Sequence, residues 1–268
     1  MKRSFYYFAI PLILFTQAIA AQSTSSILES EHIFSKTAQK EGIKRAFEKY
    51  MAPQGYIVVG NKIVNALAYY SRLPIDTTDL LWWQPTYVFT NTEGDFGFAT
   101  GPFRYFNERN GHATAAGQTF SIWERGKDGT FKILFDGGVN SGSVPNDSIH
   151  DLAQVPVMEF ILHPAPSHQT DDNPPLDLPL EYKIHKKAIF LRPNRTEVIR
   201  AKEAKVVPKM MKKLWQEGFD RKRGIFYRFG NLGNDETSLQ QGKFCGYFVQ
   251  VWSRCENDWL LVADVMQY

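Results

Sequence analysis

One arrangement of residues occurs twice in this chain, and that limits its fold more than any other feature. Gly101, Gly117, Trp123 and Arg125 return as Gly230, Gly246, Trp252 and Arg254, each 129 positions later. The run Phe131-Lys132-Ile133-Leu134-Phe135-Asp136 returns as Trp259-Leu260-Leu261-Val262-Ala263-Asp264, 128 positions on. Two earlier pairs, Gly60-Asn61 with Pro193-Asn194 and Leu81-Trp82 with Leu214-Trp215, stand 133 apart. Only small, turn-length changes separate the copies, so the pattern reads as a duplicated domain.

Within one copy, helices come first. Ser26 and Glu29 form a capping box, and Ile27, Phe34, Ala38, Ala46, Phe47 and Tyr50 follow at roughly helical spacing, with a break at Gly42. A second helical stretch is predicted from Asn61 to Ser71. Strands follow: Leu81 to Thr90, then Phe96 to Tyr105, where Gly101-Pro102 predicts a bulge or bend. Gln118 to Arg125 and Thr130 to Asp136 read as a hairpin over Gly126-Lys127-Asp128-Gly129. Helices followed by a long antiparallel meander is an α+β order. The expected bounds are 27–138 for the first domain, 139–177 for a Pro-rich linker and 178–268 for a divergent second domain. The first helix of that second copy is either short, near Leu178 to Lys187, or replaced by Ser148 to Leu162, which Pro156 would break.

The chain begins Met1-Lys2-Arg3, continues with an apolar run from Phe5 to Phe15 and reaches Ala18-Ile19-Ala20. That order predicts a secretory signal peptide, residues 1–20, cleaved before Ala21 to release a soluble periplasmic or secreted protein. The apolar run is shorter than the roughly 20 residues that span a bilayer. Removing Lys2 and Arg3 from a formal charge of +3 leaves an almost neutral chain, so bulk charge names no partner. Cys245 and Cys255 bracket a strand-like run that at ~3.3 Å per residue holds them beyond disulfide reach, and two free thiols are expected. The basic stretch Lys183 to Arg223 reads as a solvated helix face, and no nucleic-acid role is assigned.

The segments Trp82-Trp83-Gln84-Pro85-Thr86-Tyr87-Val88, Gly94 to Phe103, Ser121-Ile122-Trp123-Glu124-Arg125 and Asp128 to Lys132 resemble a family. They are similar to the SnoaL-like, nuclear transport factor 2-like domains of unknown function found in exported bacterial proteins. The resemblance covers most of Ile27 to Gly138, and in the second copy chiefly Gly224 to Val265. It implies two cone-shaped, cystatin-like domains, each a curved antiparallel sheet wrapped on helices around a pocket. It implies no single reaction, since that superfamily mixes isomerases, cyclases and dehydratases with domains that only bind or dimerise.

Pocket candidates are Tyr50, Trp82, Tyr87, Phe103, Tyr105 and Asp136. No catalytic residue, metal ligand or cofactor is assigned, because His112 and the isolated histidines lack a catalytic or metal-binding pattern and Asp95 and Asp136 stand at turns and strand ends, where they should behave as ordinary carboxylates. The matched tryptophans Trp82/Trp215 and Trp123/Trp252 read first as core. The leading expectation is a non-catalytic module that binds a small apolar or aromatic ligand or a partner, with a homodimer open. The rival is a proton-transfer enzyme of the ketosteroid isomerase or dehydratase kind, and the feature that separates them is a carboxylate or His buried in a pocket opposite a Tyr hydroxyl.

Overall fold

The computed structural model describes residues 26–152, 156–164, 184–201, 212–220, 224–255 and 258–268. The expected signal peptide, the polar run Ser167 to Asn173 and the start of the second domain at 178 lie outside the described residues.

Helix α1 (Ile27–Glu41) starts where the Ser26 hydroxyl accepts the amide N–H of Glu29, and it stops at Gly42, whose φ of 94° ends the helix. Helix α2 (Ile43–Tyr50) follows at once. Strand β1 (Met51–Val59) then pairs with β2 (Lys62–Asn65), so the first half of the helix predicted from Asn61 is a hairpin arm. The helix survives only as the short α3 (Ala66–Tyr70), capped by the Asn65 side chain.

The aromatic segment predicted from Leu81 divides into β3 (Leu80–Trp83) and β4 (Tyr87–Thr90), which pair with opposite halves of β5 (Phe96–Phe106). Strands β6 (Ala115–Arg125) and β7 (Phe131–Asn140) complete the meander, and β7 lies parallel to β1. With β8 (Met158–Ile161) at its edge, the first sheet has 8 strands ordered β2-β1-β7-β6-β5-β4-β8, with β3 beside β5. No bulge lies at Gly101-Pro102, because β5 and β6 pair without interruption from Phe96↔Glu124 to Tyr105↔Ala115. Gly101 instead lets the backbone between β3 and β4 come close: a Cβ there would stand 1.9 Å from the Gln84 carbonyl oxygen.

The second sheet has 6 strands, β9 (Ile184–Leu191), β10 (Ile199–Arg200), β11 (Lys212–Asp220), β12 (Ile225–Gly233), β13 (Gly246–Cys255) and β14 (Asp258–Gln267), ordered β10-β9-β14-β13-β12-β11. Helix α4 (Glu236–Gln240) joins β12 to β13. This sheet repeats the ladder of the first. Gly101↔Thr119 recurs as Gly230↔Phe248, Ser121↔Asp136 as Gln250↔Asp264, and the parallel pair Ile57↔Asp136 as Phe190↔Asp264. A β-bulge falls at the same step, between Ile122 and Trp123 and between Val251 and Trp252. Leu81-Trp82 and Leu214-Trp215 do not correspond, since Trp82 pairs with Arg104 whereas Trp215 pairs with Gly230, a different rung. The described parts of Lys183 to Arg223 hold β9, β10 and β11 with a turn between β9 and β10, and no α-helical face is among them. Ser148 to Leu162 likewise holds a 3-10 turn (Ile149–Asp151) and β8 in place of a helix.

Three apolar layers result. Helices α1 to α3 cover the inner face of the first sheet over Phe34, Phe47, Trp83, Trp123 and Ile133. The outer faces of the two sheets pack on each other, with Phe98, Phe120 and Phe135 in one core with Phe229, Val249 and Val265. The inner face of the second sheet buries Phe190, Phe226, Trp252 and Trp259. Cys245 and Cys255 form no disulfide with each other. No helix among the described residues is long and apolar enough to cross a membrane.

Candidate functional site

The bulge in β7 decides which side chains face the helices. Ile133 lies in the helix-side core; the bulged Leu134 and then Phe135 both lie in the core between the sheets, and alternation resumes with Asp136 turned back toward the helices. Were the same residues to alternate strictly from Ile133 with no bulge, Asp136 would stand on the outer face.

Asp136 lines a half-open cavity of about 570 Å³ bordered by β1, β7, α2, α3, β3 and β5. Its lining mixes polar and apolar surface about equally and includes Phe47, Ile57, Val59, Tyr69, Tyr70, Leu81 and Tyr105, and no basic side chain is among the described lining residues. Behind Asp136, Ser121 donates its hydroxyl to the carboxylate at 2.8 Å and lies 3.5 Å from a second carboxylate, Glu31 of α1. Glu31 is fully buried and accepts the indole N–H groups of Trp83 at 2.7 Å and Trp123 at 2.5 Å. The two acids are thus linked through one hydroxyl, and no cation among the described residues pairs with either.

That setting governs their protonation. Burial pushes the Asp136 carboxyl up to about 8, the charge of Glu31 adds to the shift, and the Ser121 hydrogen bond opposes it. Burial likewise raises Glu31 to about 7 against the three donors that favour its ionised form. Both acids are therefore held above the ordinary carboxylate range, which departs from the expectation that Asp136 is an ordinary solvated carboxylate. Tyr70, on the cavity wall, is also raised by burial and by the charge of Asp136. The Tyr105 hydroxyl donates to Asp79 at 3.2 Å, and burial raises both groups.

Of the six pocket candidates, Tyr105 and Asp136 line the cavity. Tyr50 packs instead at 5.4 Å ring-centroid distance from Phe34, in the core beneath α1. Trp82 alternates to the face opposite Leu81 and Trp83. Tyr87 lies under the Arg200 guanidinium at 4.4 Å, at the junction of the sheets, and Phe103 joins the helix-side core. His112 is exposed on its loop. Glu31, Trp83 and Tyr70 were not singled out from the sequence as site residues. The signal for Glu31 was present, since Ile27, Glu31, Phe34 and Ala38 share one helical stripe and a carboxylate on an apolar stripe requires a partner.

The second sheet offers an internal comparison. Asp264, on the rung equivalent to Asp136, is fully buried, yet it is held by the Arg192 guanidinium at 2.5 Å and by the Gln250 side-chain amide at 2.8 Å. Gln250 in turn accepts from Arg228 at 2.7 Å. One aspartate position is compensated by a cation; the other opens onto a cavity.

Solved structures similar to this chain include a protein from Shewanella frigidimarina described as a candidate ketosteroid isomerase, at 18% identity over 43% of this chain and 96% of that one, with a TM-score of 0.33. A cystatin-like protein of unknown function from Nostoc punctiforme matches at 11% identity over 45% and 92%, with a TM-score of 0.36. A nuclear transport factor 2-like protein of unknown function from Shewanella oneidensis matches at 14% over 41% and 93%, with a TM-score of 0.34. No protein-family model and no curated protein matches the chain. At these scores the likeness names no reaction.

Proposed function

We propose that this is an exported protein whose first nuclear transport factor 2-like unit binds a small, largely apolar or aromatic molecule, with Asp136 as the polar group that orients it. The observation that carries this reading is the half-open cavity lined by Phe47, Tyr69, Tyr70 and Tyr105, with one carboxyl on its wall. Aromatic walls with a few convergent polar groups are the usual form of a small-molecule site. Export rests on the basic, apolar and small-residue order of residues 1–20. A homodimer would use a surface other than the outer face of the first sheet, because the second sheet already covers it. The test is a fragment screen by ligand-observed NMR on the mature chain. Hits should be lost in Leu81→Trp, which fills the cavity, and kept in His112→Ala; hits indifferent to Leu81→Trp would reject the pocket.

A proton-transfer enzyme is the second reading, favoured by the feature named above as the discriminator: Asp136 and the Tyr70 hydroxyl line one cavity. A carboxyl that titrates near 8 is poised to exchange a proton at physiological pH, and a neutral tyrosine can steady a developing oxyanion. Deuterium exchange into small ketones, catalysed by the wild type and abolished by Asp136→Asn, would establish it. Its absence across ketones that bind would leave the binding reading alone.

A further inference from the structure

The two sheets place one aspartate in two settings, and the difference says what the open one lacks. Ile57 and Phe190 are the parallel partners of Asp136 and Asp264, so the residues two positions further on, Val59 and Arg192, occupy equivalent places. In the second sheet the Arg192 guanidinium contacts Asp264 through both its side-chain carboxylate and, at 2.8 Å, its carbonyl oxygen. In the first sheet the shorter Val59 lines the cavity, and the space beside Asp136 is open.

We propose that this space receives a positively charged group, a protonated amine or an amidinium, carried by the small ligand of the first unit. The proposal rests on the reading of the cavity as a ligand site. The groups that face Asp136 are Glu31 from α1, Ser121 from β6 and Tyr70 from α3, and Tyr247 of β13 acts on it only electrostatically from the far side of β7; none of these is a cation. An anionic ligand would meet two linked carboxyls in a low-dielectric pocket. A neutral ligand leaves the pair neutralised only by retained protons. A cation supplies the missing counter-charge, as Arg192 does for Asp264, and the walls of Phe47, Tyr69, Tyr70 and Tyr105 offer aromatic faces that attract cations. The apolar remainder of the cavity accounts for the ligand's body.

Two arms test this, one without ligand. Val59→Arg copies the second sheet and should raise the thermal midpoint at pH 9 above that of Val59→Met, which adds apolar bulk without charge; an arginine variant no more stable than the methionine one overturns the proposal whatever the pocket binds. In the second arm, calorimetry on the mature chain compares benzamidinium with benzamide, its neutral isostere. Benzamidinium should bind about tenfold or more tightly at pH 9, with a narrower gap at pH 6, where Asp136 keeps its proton. Asp136→Asn should remove the preference, and Val59→Arg should abolish benzamidinium binding. Benzamide bound as tightly as benzamidinium overturns the cation while leaving the pocket intact. Binding of either compound that is indifferent to both substitutions, or binding of neither, counts against the cation and the pocket together.

Discussion

At the residue scale the central feature is a hydroxyl-linked pair of acids, Glu31 fully buried and Asp136 half-buried on the cavity wall, whose protonation is coupled to folding. Both folded values lie above the ordinary carboxylate range, so the native state holds more protons than the unfolded chain between about pH 4 and 8, and stability falls as pH rises through that window. The wild-type midpoint should drop on the order of 5 °C or more between pH 5.5 and pH 9, at the ~2–4 °C per kcal/mol expected for a chain of this size. Asp136→Asn should flatten much of that slope in calorimetric scans, and an unchanged slope would show that Asp136 is not a main source of it. Asp136 itself was visible in the sequence as a strand-end carboxylate repeated at Asp264. Its environment was not, because a bulge one residue long sets its direction.

At the element scale, α1 is fastened to the sheet by Glu31, which joins β3 through Trp83 and β6 through Trp123. Glu31→Ala leaves two buried indole N–H groups unpaired and should cost about 2–5 kcal/mol, read as a lower urea midpoint at near-constant m. Gly117 and Gly246 explain why glycine recurs on equivalent rungs: a Cβ would stand 1.9 Å from the Val139 carbonyl oxygen in one case and 1.9 Å from that of Gln267 in the other. Alanine at either position should therefore destabilise by roughly 3 kcal/mol, measured by chemical denaturation. A loss below about 0.5 kcal/mol would mean that the strands part without cost there.

At the scale of the whole molecule, the two sheets are joined by a common core and by hydrogen bonds across it. The Gly138 amide donates to the Tyr247 hydroxyl at 2.8 Å, and Gln118 donates to the Thr196 carbonyl at 2.7 Å. Phe229 from the second sheet packs on Tyr56 and Phe135 of the first at 5.3 and 5.0 Å between ring centroids. Phe229→Ala should cost about 3–5 kcal/mol and shift one cooperative transition seen by both near- and far-UV dichroism. Two separated transitions, with only one displaced, would show that the sheets fold independently.

The sequence by itself determined the α+β order, the break at Gly42, the β6–β7 hairpin and the repeated ladder, because capping chemistry, turn glycines and period-2 patterning act over a few residues and leave local marks. The rungs of Gly101, Gly117, Trp123 and Asp136 were legible for the same reason. It took the packed chain to show that Trp82 and Trp215 stand on different rungs, that Tyr50 and Phe103 pack against the helix-side core, and that Ser121 links Asp136 to Glu31. A bulge converts one inserted residue into a reversal of faces, and a buried acid takes its protonation from groups 90 and more positions away, as Ser121 and Trp123 are from Glu31. Neither effect is written in the spacing of neighbouring residues.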